Sequence, residues 1–224
     1  FFAAAGINLF SGYRRIRECW QLVSALALVA VVAMLADDYM HDFFMPAKVF
    51  SILPGIEIGF VPEPLGLIYA GIASIMWFFS IIYSAGYLRF TGDKNQTRFF
   101  IFFSLAIGAS IGIAFAGNLI TMFIFYELLT LFTYPLVIHD GTAEAKAAGR
   151  KYLAYVFGAS LALLLPAIAA VQAFAGNVNF TEGGVDFNPA IDHFALALVF
   201  LLFLFGAAKA AIMPMHRWLL GAMV

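Results

Sequence analysis

Charge is scarce in this chain, and with it most of what would let a protein live in water. Charged residues make up 11% of its 224 positions against 64% hydrophobic ones, and the mean hydropathy is +0.96. A globule of that composition lacks the polar residues to cover its surface, so a water-soluble domain is excluded and an integral membrane protein is what remains. Cysteine is nearly absent, and Cys19 alone permits no internal disulfide. His41, His139, His193 and His216 are far apart, and no Cys/His pair has metal-ligand spacing. No metal site, redox centre or cofactor is read here. There is no basic tract with interleaved aromatics either, and the net charge is -1, so nucleic acid is excluded as a partner.

What the chain has instead is long apolar runs. The opening FFAAAGINLF carries neither an initiator Met nor a charged n-region, so it reads as the tail of a span rather than as a signal peptide. The chain stops at Met223-Val224 without a closing signal and reads as a fragment. Spans need roughly 20 apolar residues to cross a hydrocarbon core of about 30 Å. They are expected near 1–12 (partial), 19–36, 64–88, 97–116, 118–138, 150–174 and 194–217.

The connections sort by charge. Arg14, Arg15 and Arg17 follow the first span, Arg89, Lys94 and Arg98 the third, Lys146, Arg150 and Lys151 the fifth, and Arg217 closes the seventh. Between them lie Asp37, Asp38, Asp42, Glu57 and Glu63, then Glu182, Asp186 and Asp192, with Lys48 as the lone base. Basic and acidic connections alternate without a break, which places 89–98 and 139–150 in the cytoplasm, 37–63 and 175–193 outside, and the end of the chain inside.

Lys209 fits neither class. At about 1.5 Å per residue it lies roughly 12 Å inward from Arg217, within the hydrocarbon thickness. Glu127 is the one other ionisable residue at such depth, in NLITMFIFYELLTLFTYPLVIH. A charge at the bilayer centre costs roughly 2.5 to 3.5 kcal/mol on insertion scales, so something must offset it. One reading is an ion pair that locks two helices together. The other is a proton-exchange site: desolvation disfavours charged lysine, a nearby carboxylate favours it, and moving the carboxylate moves the proton. Pro214 supports the second reading, because it has no N–H and its ring clashes with the Ala210 carbonyl, which predicts an interruption between Lys209 and Pro214. Broken helices in membranes line protein-enclosed or wet cavities. His216 is a relay toward the cytoplasm or a hydrogen-bonded anchor, and His139 beside Asp140, Glu144 and Lys146 is a further relay candidate in a solvated linker. Gly108-x-x-x-Gly112 reads as close helix packing, and Trp20, Trp77 and Trp218 as interfacial anchors.

At Lys209-Ala-Ala-Ile-Met-Pro214-Met-His216-Arg-Trp218-Leu the chain resembles the seventh-span signature of antiporter-like proton-translocating membrane subunits. That superfamily includes the large subunits of Mrp-type cation/proton antiporters, of respiratory complex I and of related hydrogenases. Pro64-Leu65-Gly66-Leu67, Tyr83-Ser84-Ala85-Gly86-Tyr87, Tyr126-Glu127-Leu128-Leu129-Thr130, Thr133-Tyr134-Pro135-Leu136 and Ala148-Gly149-Arg150-Lys151-Tyr152-Leu153 agree in order and spacing. The Pro-Leu-Gly and Leu-Thr-x-x-Thr-Tyr-Pro wording resembles the Mrp branch most, and within it the D-type large chain.

The resemblance implies an all-α polytopic fold of about fourteen helices with two inverted five-helix repeats, each holding a half-channel and a broken helix. On it, residues 1–96 are the N-terminal membrane helices and outer loop, and 97–224 most of the first half-channel repeat, incomplete at the C-terminus. Glu127 and Lys209 correspond to the charged pair of that half-channel, whereas Leu220 stands where the family has a proline. The implied function is proton translocation within a multisubunit monovalent cation/proton antiporter. The alternatives are a pumping subunit of a complex I or hydrogenase assembly and a non-transporting scaffold. The expected setting is the bacterial inner membrane, with other membrane subunits, lipid, protons and Na+ as partners.

Overall fold

The computed structural model describes residues 2–9, 12–41, 43, 47–53, 56–93, 95–181, 184, 185, 187 and 191–222. Asp42, Pro46, Pro54, Lys94, Glu182, Gly183, Asp186 and Pro189, which belong to the connections between spans, lie outside the described residues.

The protein is a polytopic helical bundle. In chain order the helices are α1 (Phe2–Leu9), α2 (Arg14–Met40), α3 (Pro64–Phe90), α4 (Gln96–Ala114), α5 (Leu119–Val137), α6 (Ala143–Ala159), α7 (Leu165–Ala175), α8 (His193–Gly206) and α9 (Arg217–Ala222). A π-turn, Ser160–Leu164, joins α6 to α7 into one rod, and among the described residues five helices are long and apolar enough to cross a membrane: α2, α3, α4, α5 and this rod. Local chemistry sets their ends. The Asn118 side chain caps α5 by accepting from the Thr121 N–H at 2.7 Å, and Thr142 caps α6 from the Ala145 N–H at 3.0 Å. Gly176, at φ 76°, closes α7 in the left-handed conformation that glycine adopts without strain.

Three expectations need correction. Glu144 and Lys146 are not in a linker, because Thr142 caps the helix early and puts Glu144 in its first turn, where the helix dipole favours a carboxylate. Trp77 is no interfacial anchor: it sits mid-way along α3, 4% exposed, packed with Ala3, Ala25 and Ile81. The segment 37–63 is not a plain loop either, since β1 (Ala47–Leu53) and β2 (Ile56–Phe60) form an antiparallel hairpin with Ala47 opposite Phe60.

The hairpin is tied to the α4–α5 turn. Gly117 N–H donates to the Gly59 carbonyl at 2.9 Å, Val61 N–H to Phe115 at 2.8 Å, and the Asn118 amide to the Glu57 carbonyl at 2.5 Å. On its other side the same turn takes residues 178–180, through Leu119 N–H to Val178 at 2.9 Å and Phe180 N–H to Gly117 at 3.2 Å. At the opposite end of the bundle, Arg17 on α2 donates to Thr97 and Gln96 on α4, and Arg98 to the His139 carbonyl. Connections that charge alternation assigns to one side thus meet one another at one end, and those assigned to the other side meet at the other.

Helix α4 lies close against α5 because Gly112 leaves room for the Phe125 ring, which an added Cβ would overlap.

Candidate functional site

The span that begins with α8 is broken. Helix α8 stops at Gly206; a 3-10 turn follows at Ala208–Ala210, Ala211 takes φ 51°, the Met213–Pro214 peptide is cis, and α9 resumes at Arg217. The interruption therefore starts at Ala207, ahead of the expected Lys209, and runs to His216. Pro214 disables the turn at Ala210, but the upstream limit comes from packing. Gly206 lies so close to the π-turn that an added Cβ would meet the Leu164 backbone N at 2.5 Å, so only glycine lets α8 reach that point.

The freed backbone groups find partners across the bundle, as burial requires. Ala208 O accepts from the Trp218 indole at 3.0 Å, which places Trp218 against the break rather than as a simple interfacial anchor. Lys209 N–H donates to the Tyr126 hydroxyl on α5 at 3.0 Å. The Lys209 ammonium then folds onto the same residue, with Nζ 2.5 Å from the Tyr126 carbonyl oxygen and 3.8 Å from the ring centroid. A carbonyl and a ring face are both attractive to a cation, and neither is charged.

Glu127 stands one residue from this clamp. Its carboxylate and the Lys209 ammonium are close enough for their charges to interact. Among the described residues, however, no carboxylate lies within ion-pair distance of Lys209, so the two groups form no direct ion pair. The Ser160 hydroxyl, on the π-turn, lies beside Glu127. Its proton goes instead to the Phe157 carbonyl at 3.0 Å, and both Glu127 oxygens are buried without a hydrogen-bond partner among the described residues. The π-turn itself follows from Pro166, whose ring would clash with the carbonyl four residues earlier in a regular helix; such turns recur at functional sites.

The two histidines lie apart from this centre. His216 ends the break, and its Nδ1 is buried without a hydrogen-bond partner among the described residues. His139 lies just past Ile138, the C-cap of α5, and bonds Asp93 through Nε2 at 2.6 Å, with the Phe99 ring edge-on to it. Burial works against ionisation of Asp93, but the Asn95 N–H at 2.6 Å, the His139 side chain and the Arg98 charge together hold its carboxyl below the usual range. Tyr126 and Ser160 carry no signal as site residues in the sequence. The first looks like one more aromatic in an apolar run, and the second acquires its place only through the π-turn.

Residues 116–224, which contain this centre, match a family described as NADH:quinone oxidoreductase/Mrp antiporter, TM. The chain is 27% identical over 237 residues to the chloroplastic NAD(P)H-quinone oxidoreductase subunit 5 of Physcomitrium patens, covering 97% of this chain and 32% of that protein. It is 30% identical over 204 residues to NADH-quinone oxidoreductase subunit N of Desulforudis audaxviator (strain MP104C), covering 88% of this chain and 40% of that protein. These matches support a place for the chain among the antiporter-like membrane subunits. Its fold agrees with two solved assemblies. A chain of the membrane-bound sulfane sulfur reductase, an archaeal respiratory membrane complex, superimposes with a TM-score of 0.76 at 16% identity, over 99% of this chain and 45% of that one. A chain of the Mrp complex from Dietzia sp. DQ12-45-1b gives 0.65 at 24% identity, over 98% and 39%. At these identities the likeness is one of fold. The chain thus spans between 32% and 45% of the length of these proteins.

Proposed function

We propose that this antiporter-like chain forms the first half-channel of a proton-translocating subunit in a multisubunit complex of the bacterial inner membrane, and that Lys209 is its proton-exchanging group. In a complete subunit it would pair with a second, inverted five-helix repeat in a fold of about fourteen helices. The observation that carries the reading is the Lys209 ammonium at a helix break, held by the Tyr126 carbonyl and ring and, among the described residues, by no carboxylate. A lysine held by neutral groups can give up its proton without leaving an uncompensated partner behind. The Glu127 charge, near but not ion-paired, then sets how tightly the proton is held. His216 and His139 are proposed relays on the inward side, and Pro214 maintains the break.

A cation/proton antiporter is the first reading of the assembly, with Na+ or another monovalent cation as the coupled ion, because the Pro64-Leu65-Gly66 and Leu129-Thr130…Thr133-Tyr134-Pro135 wording resembles the Mrp branch. A redox-driven complex is the second, favoured by the quinone oxidoreductase subunits among its relatives. Subunits that co-purify separate them: iron–sulfur proteins mark the redox assembly, small cation-antiporter subunits the other.

The test of proton exchange is Lys209→Arg in the assembled complex. Arginine keeps the charge and much of any clamp, but its guanidinium stays protonated at every working pH and does not release its proton. Proton flux in vesicles should be nearly abolished with the complex intact; flux at the wild-type rate would make Lys209 structural.

A further inference from the structure

Inward of Lys209, toward the His139 end of α5, runs a line of hydroxyl groups that the proposed pair leaves unused. The Thr130 side chain is fully buried, and its hydroxyl donates at 3.1 Å to the Tyr126 carbonyl, the oxygen that also accepts from Lys209 Nζ. Nearly one turn further, the Thr133 hydroxyl lies 2.7 Å from the Leu129 carbonyl, 3.1 Å from the Thr130 carbonyl and 2.5 Å from the Tyr152 hydroxyl on α6. Tyr152 is 4% exposed. Its ring meets Trp218 edge-on at 5.3 Å between centroids, and Trp218 is the residue whose indole holds the Ala208 carbonyl, next to Lys209. The line thus begins at the Lys209 ammonium and is closed by a side chain anchored to the Lys209 turn.

Threonine in an apolar helix commonly donates back to the carbonyl four residues earlier, and a buried tyrosine commonly needs one partner. Those habits explain each bond alone. They do not explain why the back-bonded Thr130 shares its acceptor with the one deep ammonium, or why the next hydroxyl along the same helix meets a phenol from another.

Resting on the proposed function, we propose that Thr130, Thr133 and Tyr152 carry protons between Lys209 and the His139 end of the bundle, with Trp218 positioning Tyr152. In each transfer one N–H or O–H bond breaks and one O–H bond forms on the next oxygen. Thr130 turns its hydroxyl from the Tyr126 carbonyl to accept the lysine proton, every hydroxyl gives up the proton it held as it receives another, and the last proton passes from Tyr152 to a water molecule entering from the inner end. No electron moves, and the net change is one proton displaced along the line.

The experiment measures proton flux per assembled complex, in vesicles, for Tyr152→Phe, Thr133→Val and Thr133→Ser beside Lys209→Arg. Tyr152→Phe keeps the ring on Trp218 and removes only the phenolic oxygen; Thr133→Val keeps the branched shape. Each should lower flux by about tenfold or more, within the range that a positioned proton carrier supplies. Thr133→Ser, which restores the hydroxyl without the methyl, should recover most of it. Wild-type flux in both Tyr152→Phe and Thr133→Val overturns the line, as does a Thr133→Ser protein no better than Thr133→Val, since packing alone would then explain the loss. If Lys209→Arg abolishes flux while the hydroxyl variants leave it unchanged, the line falls and the lysine reading stands. If Lys209→Arg is also harmless, the lysine reading itself falls.

Discussion

Tyr126 holds Lys209 at both of its ends, its hydroxyl accepting the lysine backbone N–H at 3.0 Å and its carbonyl the ammonium at 2.5 Å. One residue of an unbroken helix thereby fixes the break in another. The two grips are separable. Tyr126→Phe keeps carbonyl and ring face but strands the Lys209 N–H, which costs about 1–3 kcal/mol when a buried donor loses its acceptor. Thermal stability of the complex should fall by that amount with flux reduced only in part. Tyr126→Leu removes the ring face as well and should lower flux further at equal complex content. Equal flux in the two variants would show that the ring contributes nothing to holding the ammonium.

Membrane orientation is open to a direct check. Asn95 lies at the end where Asp93 meets His139, and Asn179 at the end where the hairpin meets the α4–α5 turn. Cys19 is exposed and must first be changed to serine. Single cysteines at Asn95 and Asn179 should then react with a membrane-impermeant reagent from opposite sides, Asn95 from the cytoplasm. Labelling of both from one side would refute the span count.

The Asp93–His139 contact adds a pH dependence at the inner end. The Asp93 carboxyl is held below its ordinary value, so its contribution to stability is full above that value, near pH 4, and is lost as pH falls through the lower folded one. Asp93→Asn should therefore lower the Tm by a few degrees at pH 7. The gap from wild type should close in acid, as pH falls through the lowered folded value. A gap that stays constant over that range would assign the effect to packing against Phe99 instead.

The spans are legible because charges cluster where the chain leaves the bilayer, and Glu127 and Lys209 because nothing else ionisable stands so deep. The break is legible in Pro214, a covalent property of one residue. Its start at Ala207 is not, since that depends on Gly206 meeting the Leu164 backbone, a contact between segments far apart in sequence. The hairpin escapes notice although Pro54-Gly55 between two short β-branched and aromatic runs is a turn signal, because its strands are too short to announce a period of two. Tyr126 stays hidden for a different reason: its hydroxyl and carbonyl matter only once the broken helix delivers Lys209 to them.

Gly206 tests whether that delivery matters. Gly206→Ala adds one methyl where the Leu164 backbone already stands, and a backbone neighbour cannot turn aside as a side chain can. Overpacking of this kind costs about 1–3 kcal/mol. Relief requires α8 to move away from the π-turn, which shifts Lys209 from Tyr126. Flux should drop although no ionisable or hydroxyl group has changed; full flux in a stably assembled Gly206→Ala complex would mean that the site tolerates the shift.

Glu127 separates activity from stability. Both of its carboxylate oxygens are buried without a hydrogen-bond partner among the described residues, and Lys209 is near but forms no direct ion pair with it. Glu127→Gln preserves the shape and removes the charge. If the carboxylate were half of a structural ion pair, the change would strand a buried ammonium and destabilise the complex by about 3–5 kcal/mol. Here the ammonium is already satisfied by Tyr126, and the substitution relieves an unpaired buried charge. The complex should assemble as well as wild type or better, while proton flux falls by about tenfold or more, because Lys209 loses the field that sets its hold on the proton. A complex that falls apart, with flux per surviving complex unchanged, would restore the ion-pair lock as the explanation of both residues.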